Sequence, residues 1–317
     1  MSASVAIDSA SILITGGAGF IGSHLVAALL QRGARRVVVV DSLRYGSPRN
    51  LPADERLRVV EHTLGYDDPA ALYEAAAGID CLFHLAAEKH NQSKDEPERV
   101  YRSNIVGTHQ ICDAACRAGA KKIVFSSSLY AYGRMHDPPF VEHELPQPRT
   151  VYGISKLAGE HVTAHVAESA RAAHVTLRYM FVYGPRQFAG MGYRSVIVKS
   201  FERIRAGLPP TVHGDGRQAL DYVYVDDVVD ATIRTMECDL SGETLNIGSG
   251  IATQVGDLVG SMLRVSESAL DKSFDAADWT AGSRRVADVT KAANLLGWRA
   301  TTPLEEGLRR TWVGLRP

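Results

Sequence analysis

Short runs of β-branched and aliphatic residues alternate along the chain with longer Ala- and Leu-rich stretches of helical period. Ser11–Thr15, Arg36–Val40, Arg58–Glu61, Cys81–Leu85 and Lys122–Ser126 read as strands, and 20–32, 68–77, 98–118 and 153–173 read as helices. Continuous apolar strands separated by helices predict right-handed βαβ crossovers and a parallel sheet covered on both faces. Val175–Tyr179 and Glu243–Ile247 are expected to return to that sheet, whereas the intervening and following chain is richer in Gly, Pro and aromatics. The expected fold is α/β, a doubly wound parallel (Rossmann) sheet over residues 1–183, completed by 221–248. A smaller α+β substrate lobe is expected from 184–220 and 249–317. Ligands of such sheets bind beyond the carboxyl ends of the strands, so the site belongs in the cleft between the lobes.

Composition narrows the class. With 45% hydrophobic and 22% charged residues in 317, disordered and fibrous classes are excluded. Lys+Arg at 35 against Asp+Glu at 36 leaves a net charge of -1, so neither nucleic acid nor a membrane is an expected partner. Cys112 and Cys116 stand i,i+4 rather than as a CxxC pair, and all four cysteines are expected to be reduced and mostly buried. No basic-flanked leader or run of about 18 apolar residues is visible, which predicts a cytoplasmic protein. The Asn91-Gln92-Ser93 triplet reads as a chance sequon.

The first strand runs into TGGAGFIGSHL, placing Gly16, Gly19 and Gly22 at GxxGxxG spacing. Gly16 permits the tight turn, Gly19 a close approach of backbone to a pyrophosphate, and Gly22 the packing of helix on strand. The second strand leads to Asp41, 19 residues beyond Gly22, where a carboxylate accepts the ribose hydroxyls. Asp41 would repel a 2′-phosphate, so NAD is expected over NADP; Arg44 is the counter-argument, because a guanidinium there could bind that phosphate.

Tyr152-Gly153-Ile154-Ser155-Lys156 puts a phenol and an ammonium on one helix face. A cation about 4 Å from a phenol, at an effective dielectric of about 20, contributes roughly 4 kcal/mol. That would lower the phenol by up to about three pKa units, towards the range where general acid–base catalysis works best. Ser128, at the end of VFSSS and 24 residues before Tyr152, can polarise the same oxygen.

These motifs resemble the extended short-chain dehydrogenase/reductase family, in particular nucleotide-sugar epimerases and dehydratases of the UDP-galactose 4-epimerase type. TGGAGFIGS, FHLAAEK, SNIVGT, SSSLYAYG, VYGISK, VYGPRQ, YVYVDDVVDA, LNIGSG and LLGW follow one another in family order between residues 15 and 298. The resemblance implies Tyr152 as acid/base, Lys156 as the residue that tunes it and holds the nicotinamide ribose, and Ser128 as the substrate's hydroxyl partner. It implies a cofactor site of Gly16, Gly19, Phe20, Ile21 and Gly22, with Asp41 and Leu43 beyond the second strand. Leu85, Ala86, Ala87, Lys89 and Asn104 complete it, with Tyr152 and Lys156. The chemistry implied is oxidation of a sugar hydroxyl with hydride transfer to NAD, turnover of the ketone and hydride return. A homodimer paired through helices 98–118 and 153–173 is implied as well.

Departures select among reactions. The dehydratases and decarboxylases of this family carry carboxylates where this chain has Leu129 and Tyr130 after Ser128, which favours an epimerase, acting at C4, with Tyr130 as a pocket wall. Phe181 replaces an Asn that binds substrate, and Leu220 replaces an Arg in GDGRQALD. A later diphosphate-binding Arg has no clear counterpart, leaving Arg194, Arg217, Arg284 or Arg285 to compensate, with Arg217 chosen as a substrate ligand. Thr63 stands where an Asp near the adenine is common. His161 and His165, at i,i+4, lack a third ligand, so no metal is expected. Asp226 and Asp227 read as a helix N-cap and a first-turn acid. The leading expectation is an NAD-dependent epimerase of a nucleotide-linked sugar. The rivals are a dehydrogenase, reductase or dehydratase on a related sugar, even one lacking the nucleotide diphosphate, and a cofactor-binding protein without turnover.

Overall fold

The computed structural model describes residues 4–90, 92–133, 138–187 and 195–315. In chain order the strands are β1 (Ser11–Thr15), β2 (Arg36–Asp41), β3 (Leu57–Glu61), β4 (Cys81–His84), β5 (Lys122–Ser128), β6 (Ala173–Tyr179), β7 (Phe181–Tyr183), β8 (Thr211–His213), β9 (Ala219–Tyr224), β10 (Glu243–Ile247), β11 (Ala252–Gln254), β12 (Ser273–Asp275) and β13 (Arg284–Arg285). Seven of them form one parallel sheet in the order β10-β6-β5-β4-β1-β2-β3. Successive side chains of β1 and β2 enter opposite cores. Ile12, Ile14, Val37 and Val39 pack into one apolar cluster, while Leu13, Val38 and Val40 pack into the other. The alternation is what a doubly covered sheet requires, and it explains why these strands read as unbroken apolar runs.

The helices around the cofactor half are α1 (Phe20–Gln31), α2 (Ala70–Ala76), α3 (Gln92–Asp95), α4 (Pro97–Tyr101), α5 (Gly107–Arg117) and α6 (Val151–Ser169). The single helix expected over 98–118 is instead α4 and α5 joined by a π-helical turn at Arg102–Val106. A wider turn adds a residue without altering the apolar period, so the hydrophobic pattern does not register it; such turns often mark functional sites.

The smaller lobe holds α7 (Val196–Arg205), α9 (Val255–Val265) and α11 (Leu304–Gly314), while α8 (Val225–Glu237) packs on α1 and α10 (Thr290–Leu296) lies against β10 and α8. Its sheet is centred on β9, which pairs with β7, β11 and β13, and β8 pairs with β12. Residues 221–224 therefore belong to this second sheet, while β6 and β10 both return to the first, as expected. Asp221 ties the lobe together: its carboxylate accepts from Ser249 N at 2.6 Å, Gly250 N at 3.0 Å and Ala287 N at 3.2 Å. Asp226 and Asp227 both lie in the first turn of α8, and Tyr224 occupies the cap, so the expected N-cap is corrected. Asp227 is employed in tertiary contact, accepting from Thr301 and Thr302 backbone N–H groups at 3.1 Å each. The four cysteines are free, Cys81 and Cys112 fully buried. Among the described residues no helix is long and apolar enough to cross a membrane.

Candidate active site

The strand order reverses between β1's two neighbours, and a cleft of about 890 Å³ opens at the carboxyl ends there. Gly16 turns the chain at φ 71°, and Phe20 begins α1 with Gly19 at its cap. A Cβ on Gly22 would lie 2.1 Å from the Gly16 carbonyl oxygen, and one on Gly16 would lie 2.8 Å from Ala86 N. Only glycines let the turn, the helix and the β4 loop close up. Gly16, Gly19, Phe20, Ile21 and Gly22 line the cleft, where a helix start presents unpaired N–H groups to an anion.

Asp41, at the end of β2, is buried and accepts from Ala18 N and Leu43 N at 2.9 Å each. Each oxygen keeps a lone pair beside the cleft, so carboxylate and helix start together fit a dinucleotide's ribose and pyrophosphate. Arg44 does not reach for a 2′-phosphate: it donates to the Tyr45 hydroxyl at 2.9 Å and to Glu96 at 2.7 Å. Leu85, Ala86, Ala87 and Lys89 line the same wall. Burial pulls Lys89 down to about 8 against the pull of Glu88, and its ammonium lies 4.4 Å from the Tyr45 ring centre.

Leu43, Asn104 and Lys156 do not line the cleft. Leu43 turns away at φ 56°. Asn104, within the π turn, accepts from Glu88 N at 2.7 Å and donates to Glu88 O at 3.1 Å and to the Ser155 hydroxyl at 3.0 Å. It clamps the cofactor wall to α6.

Thr150 caps α6, its hydroxyl accepting from Gly153 N at 3.0 Å, so that Tyr152 lies in the first turn facing the end of β5. Ser128 accepts from Tyr130 N at 3.3 Å. Tyr152, Ser128, Leu129 and Tyr130 line the cleft together. Lys156 lies behind them, buried, with its nitrogen 4.6 Å from the Phe125 ring centre.

The expected lowering of the phenol is corrected. Burial pushes Tyr152 up to about 12, partly offset by the Ser128 hydroxyl, and Lys156 is not among the groups that move it. Burial also pulls Lys156 down to about 7, with Glu160 opposing. The chain alone thus holds Tyr152 as a neutral phenol, and deprotonation needs positive charge beyond what these side chains place beside it.

A lysine held below its unfolded value of 10.5 is protonated in the unfolded chain but not in the native one between about pH 7 and 10. Stability therefore rises with pH through that window, and the cost of burying the charge is fully felt below it. Lys156→Met is expected to be more stable than the parent below pH 7, with a flatter thermal-midpoint profile from pH 7 to 10. A profile that keeps its slope would refute the assignment.

Opposite the phenol, His90 stacks on Tyr130 with centroids 4.4 Å apart and meets Tyr152 edge-on at 6.1 Å. Burial, with help from Lys94 and Arg285, pulls His90 down to about 4, so it is a neutral wall. Trp279 lies 6.2 Å from His90, and Phe181 and Leu220 line the cleft nearby. Arg217 is exposed, 3.7 Å from Asp215, and is not among the residues lining the cleft. Arg284 is exposed on β13, Arg285 faces inward, and Arg194 and Asn91 lie outside the described residues. His90 and Trp279 escaped sequence reasoning; His90 follows directly on Lys89, but no spacing announces a stacking partner 40 residues on. His161 and His165 are exposed on α6, and among the described residues no three metal-ligating side chains converge.

Behind α6, Glu160 takes two hydrogen bonds from Arg178 on β6, at 3.0 and 2.7 Å, and a further one from Ser127 on β5. The buried pair joins the helix that carries Tyr152 to β6, and the Ser127 contact ties Glu160 to β5, the strand that carries Ser128.

The model of the NAD dependent epimerase/dehydratase family matches residues 12–248. A UDP-glucose 4-epimerase of Mycolicibacterium smegmatis is 32% identical over 308 residues, spanning 94% of this chain and 96% of that protein. The crystal structure of UDP-glucose 4-epimerase from Thermotoga maritima with UDP-glucose superposes with a TM-score of 0.87 at 34% identity, over 96% of this chain and 98% of that one. UDP-glucuronic acid 4-epimerase from Bacillus cereus, in complex with UDP-glucuronic acid and NAD, gives 0.84 at 30% identity with the same coverage.

Proposed function

The chain belongs to the NAD dependent epimerase/dehydratase family, and from that premise we propose that it inverts a ring carbon, C4, of a nucleotide-linked sugar through a transient ketone. The observation that carries the reading is that Ser128 and Tyr152 line one cleft together with the glycine turn and Asp41. Bound NAD supplies a hydride acceptor and donor, and positive charge on its oxidised ring. Tyr152 takes the proton of the sugar hydroxyl and returns it to the ketone oxygen, while Ser128 orients that oxygen. Leu129 and Tyr130 offer no carboxylate to remove a proton from the neighbouring carbon, and the rings of Tyr130, His90 and Phe181 wall a space in which a ketone can turn.

We read residues 1–183 with α8 and β10 as the cofactor-binding unit and the remainder as the substrate lobe. The protein is further read as cytoplasmic and as a homodimer paired through α5 and α6. Val106 and Ile154 are exposed on or beside these helices, in support of that pairing, and sedimentation at about twice 34.4 kDa checks it.

The test is incubation with a panel of UDP-, dTDP-, GDP-, ADP- and CDP-sugars in deuterated water, read by NMR. The expected product is the C4 epimer without solvent deuterium on carbon and without net accumulation of reduced nicotinamide. Deuterium at C3 or C5 would sink the hydride-return reading in favour of enolisation, and accumulation of reduced cofactor would establish a dehydrogenase.

A further inference from the structure

Arg285 is a charged group inside the cleft that the reaction above does not use. It is 3% exposed. Its guanidinium lies 4.9 Å from the Phe181 ring centre and 5.8 Å from that of Trp279. Its Nε has no hydrogen-bond partner, and among the described residues no carboxylate forms an ion pair with it. Buried ions are ordinarily paired, and arginine cannot escape the cost by losing its proton. The two rings offset part of that cost through their faces. What remains, among the described residues, is a planar fork of donors facing the cleft without an ion-pair partner.

The fork's place in the cleft indicates which part of a ligand it meets. Phe181 follows β6 by two residues, and Tyr179 at the end of β6 is in register with Ser128. From the other side, Trp279 contacts His90, which touches both Tyr130 and Tyr152. Arg285 is therefore one ring removed from the hydroxyls that handle the sugar. A guanidinium matches a carboxylate with two parallel hydrogen bonds, whereas a neutral hexose offers hydroxyls that leave the positive charge unmet. Asp278, beside Trp279, also lines the cleft and disfavours a polyphosphate at this approach.

We propose that Arg285 is a specificity residue that receives a carboxylate carried on the sugar ring, so that the preferred substrate is a nucleotide-linked hexuronic acid rather than a neutral hexose. The proposal rests on the epimerase reading and names the substrate class of the same site.

The test compares UDP-glucuronic acid with UDP-glucose. For the parent, kcat/KM is expected to favour the acid at least about tenfold; in Arg285→Met the acid-to-neutral ratio falls about a hundredfold, the scale of a buried charge-assisted pair. Arg285→Lys, which keeps the charge but loses the fork, falls between them. Retained NAD binding by each variant shows that it has folded. A parent that prefers UDP-glucose, or a ratio unmoved in the variants, overturns the proposal. Equal loss on both sugars, together with weakened binding of UDP, assigns Arg285 to the diphosphate instead. Should no nucleotide sugar of the panel turn over, the epimerase reading fails by itself. Binding of the two sugars, followed through Trp279 fluorescence, then decides the carboxylate question: tighter binding of the acid, lost in Arg285→Met, upholds it, and equal binding refutes it.

Discussion

Tyr152→Phe is expected to lower turnover by about 10²- to 10⁴-fold, the range that a positioned acid–base group contributes, with bound NAD retained. The substitution removes one oxygen and keeps the ring, so the edge-on contacts with His90 at 6.1 Å and Tyr130 at 5.8 Å survive. What is lost is the proton acceptor itself. Because the unliganded phenol sits at about 12, the pH profile of the parent carries a second message. If charge arriving with the oxidised cofactor brings the phenol into the neutral range, kcat/KM measured on the holoenzyme rises along an alkaline limb well below 12. Single-turnover spectroscopy with saturating sugar gives the cleanest reading: the variant should fail to reduce its bound cofactor on the parent's timescale. Retention of more than a tenth of the parent rate would remove Tyr152 from the proton path and direct attention to Tyr130.

The central sheet was legible because its strands are buried on both faces, so each appears as an unbroken apolar run; ends differed by a few residues at most. The glycine turn and Asp41 were legible for a related reason: tight backbone approach and a carboxylate beyond β2 impose fixed residue types at fixed spacing. The Tyr152 and Lys156 positions could be read from helical spacing, but their proton affinities could not. Those depend on how deeply the fold buries each group, and burial acts on the two in opposite directions. The arginine that faces the cleft was not legible, for a different reason. Arg284 and Arg285 are neighbours whose side chains alternate across a two-residue pairing with β9, and which of them faces inward is set by that register alone. Arg217, next to the glycine-bounded turn of GDGRQALD, lies in the family motif yet points to solvent. The π turn at Arg102–Val106 and the Asn104 clamp leave no trace in hydrophobic period.

Breaking the Glu160–Arg178 pair from one side is expected to have the largest effect on stability. Arg178→Met leaves a carboxylate buried between α6, β5 and β6 with Ser127 as its remaining partner, and losing one member of a buried pair costs about 3–5 kcal/mol. Burial opposes the charge on Arg178, but the hydrogen bonds it donates to Glu160 outweigh it and hold the guanidinium above its ordinary pKa, so the pair is maintained by mutual compensation. Replacing both members, with Met at 160 and 178, removes the desolvation cost together with the attraction. The double variant is therefore expected to recover most of the loss, and a double-mutant cycle in urea measures the difference. The site would still register the change. Glu160 is one turn beyond Lys156 on α6 and is the group that raises the lysine's proton affinity against burial. Without it, Lys156 should titrate below its present value of about 7, and the rise of stability with pH should begin at correspondingly lower pH. A double variant as unstable as Arg178→Met would show that the pair serves packing rather than charge; one that regains stability while the Lys156-linked slope moves to lower pH would tie the buried pair to the chemistry of the lysine above it.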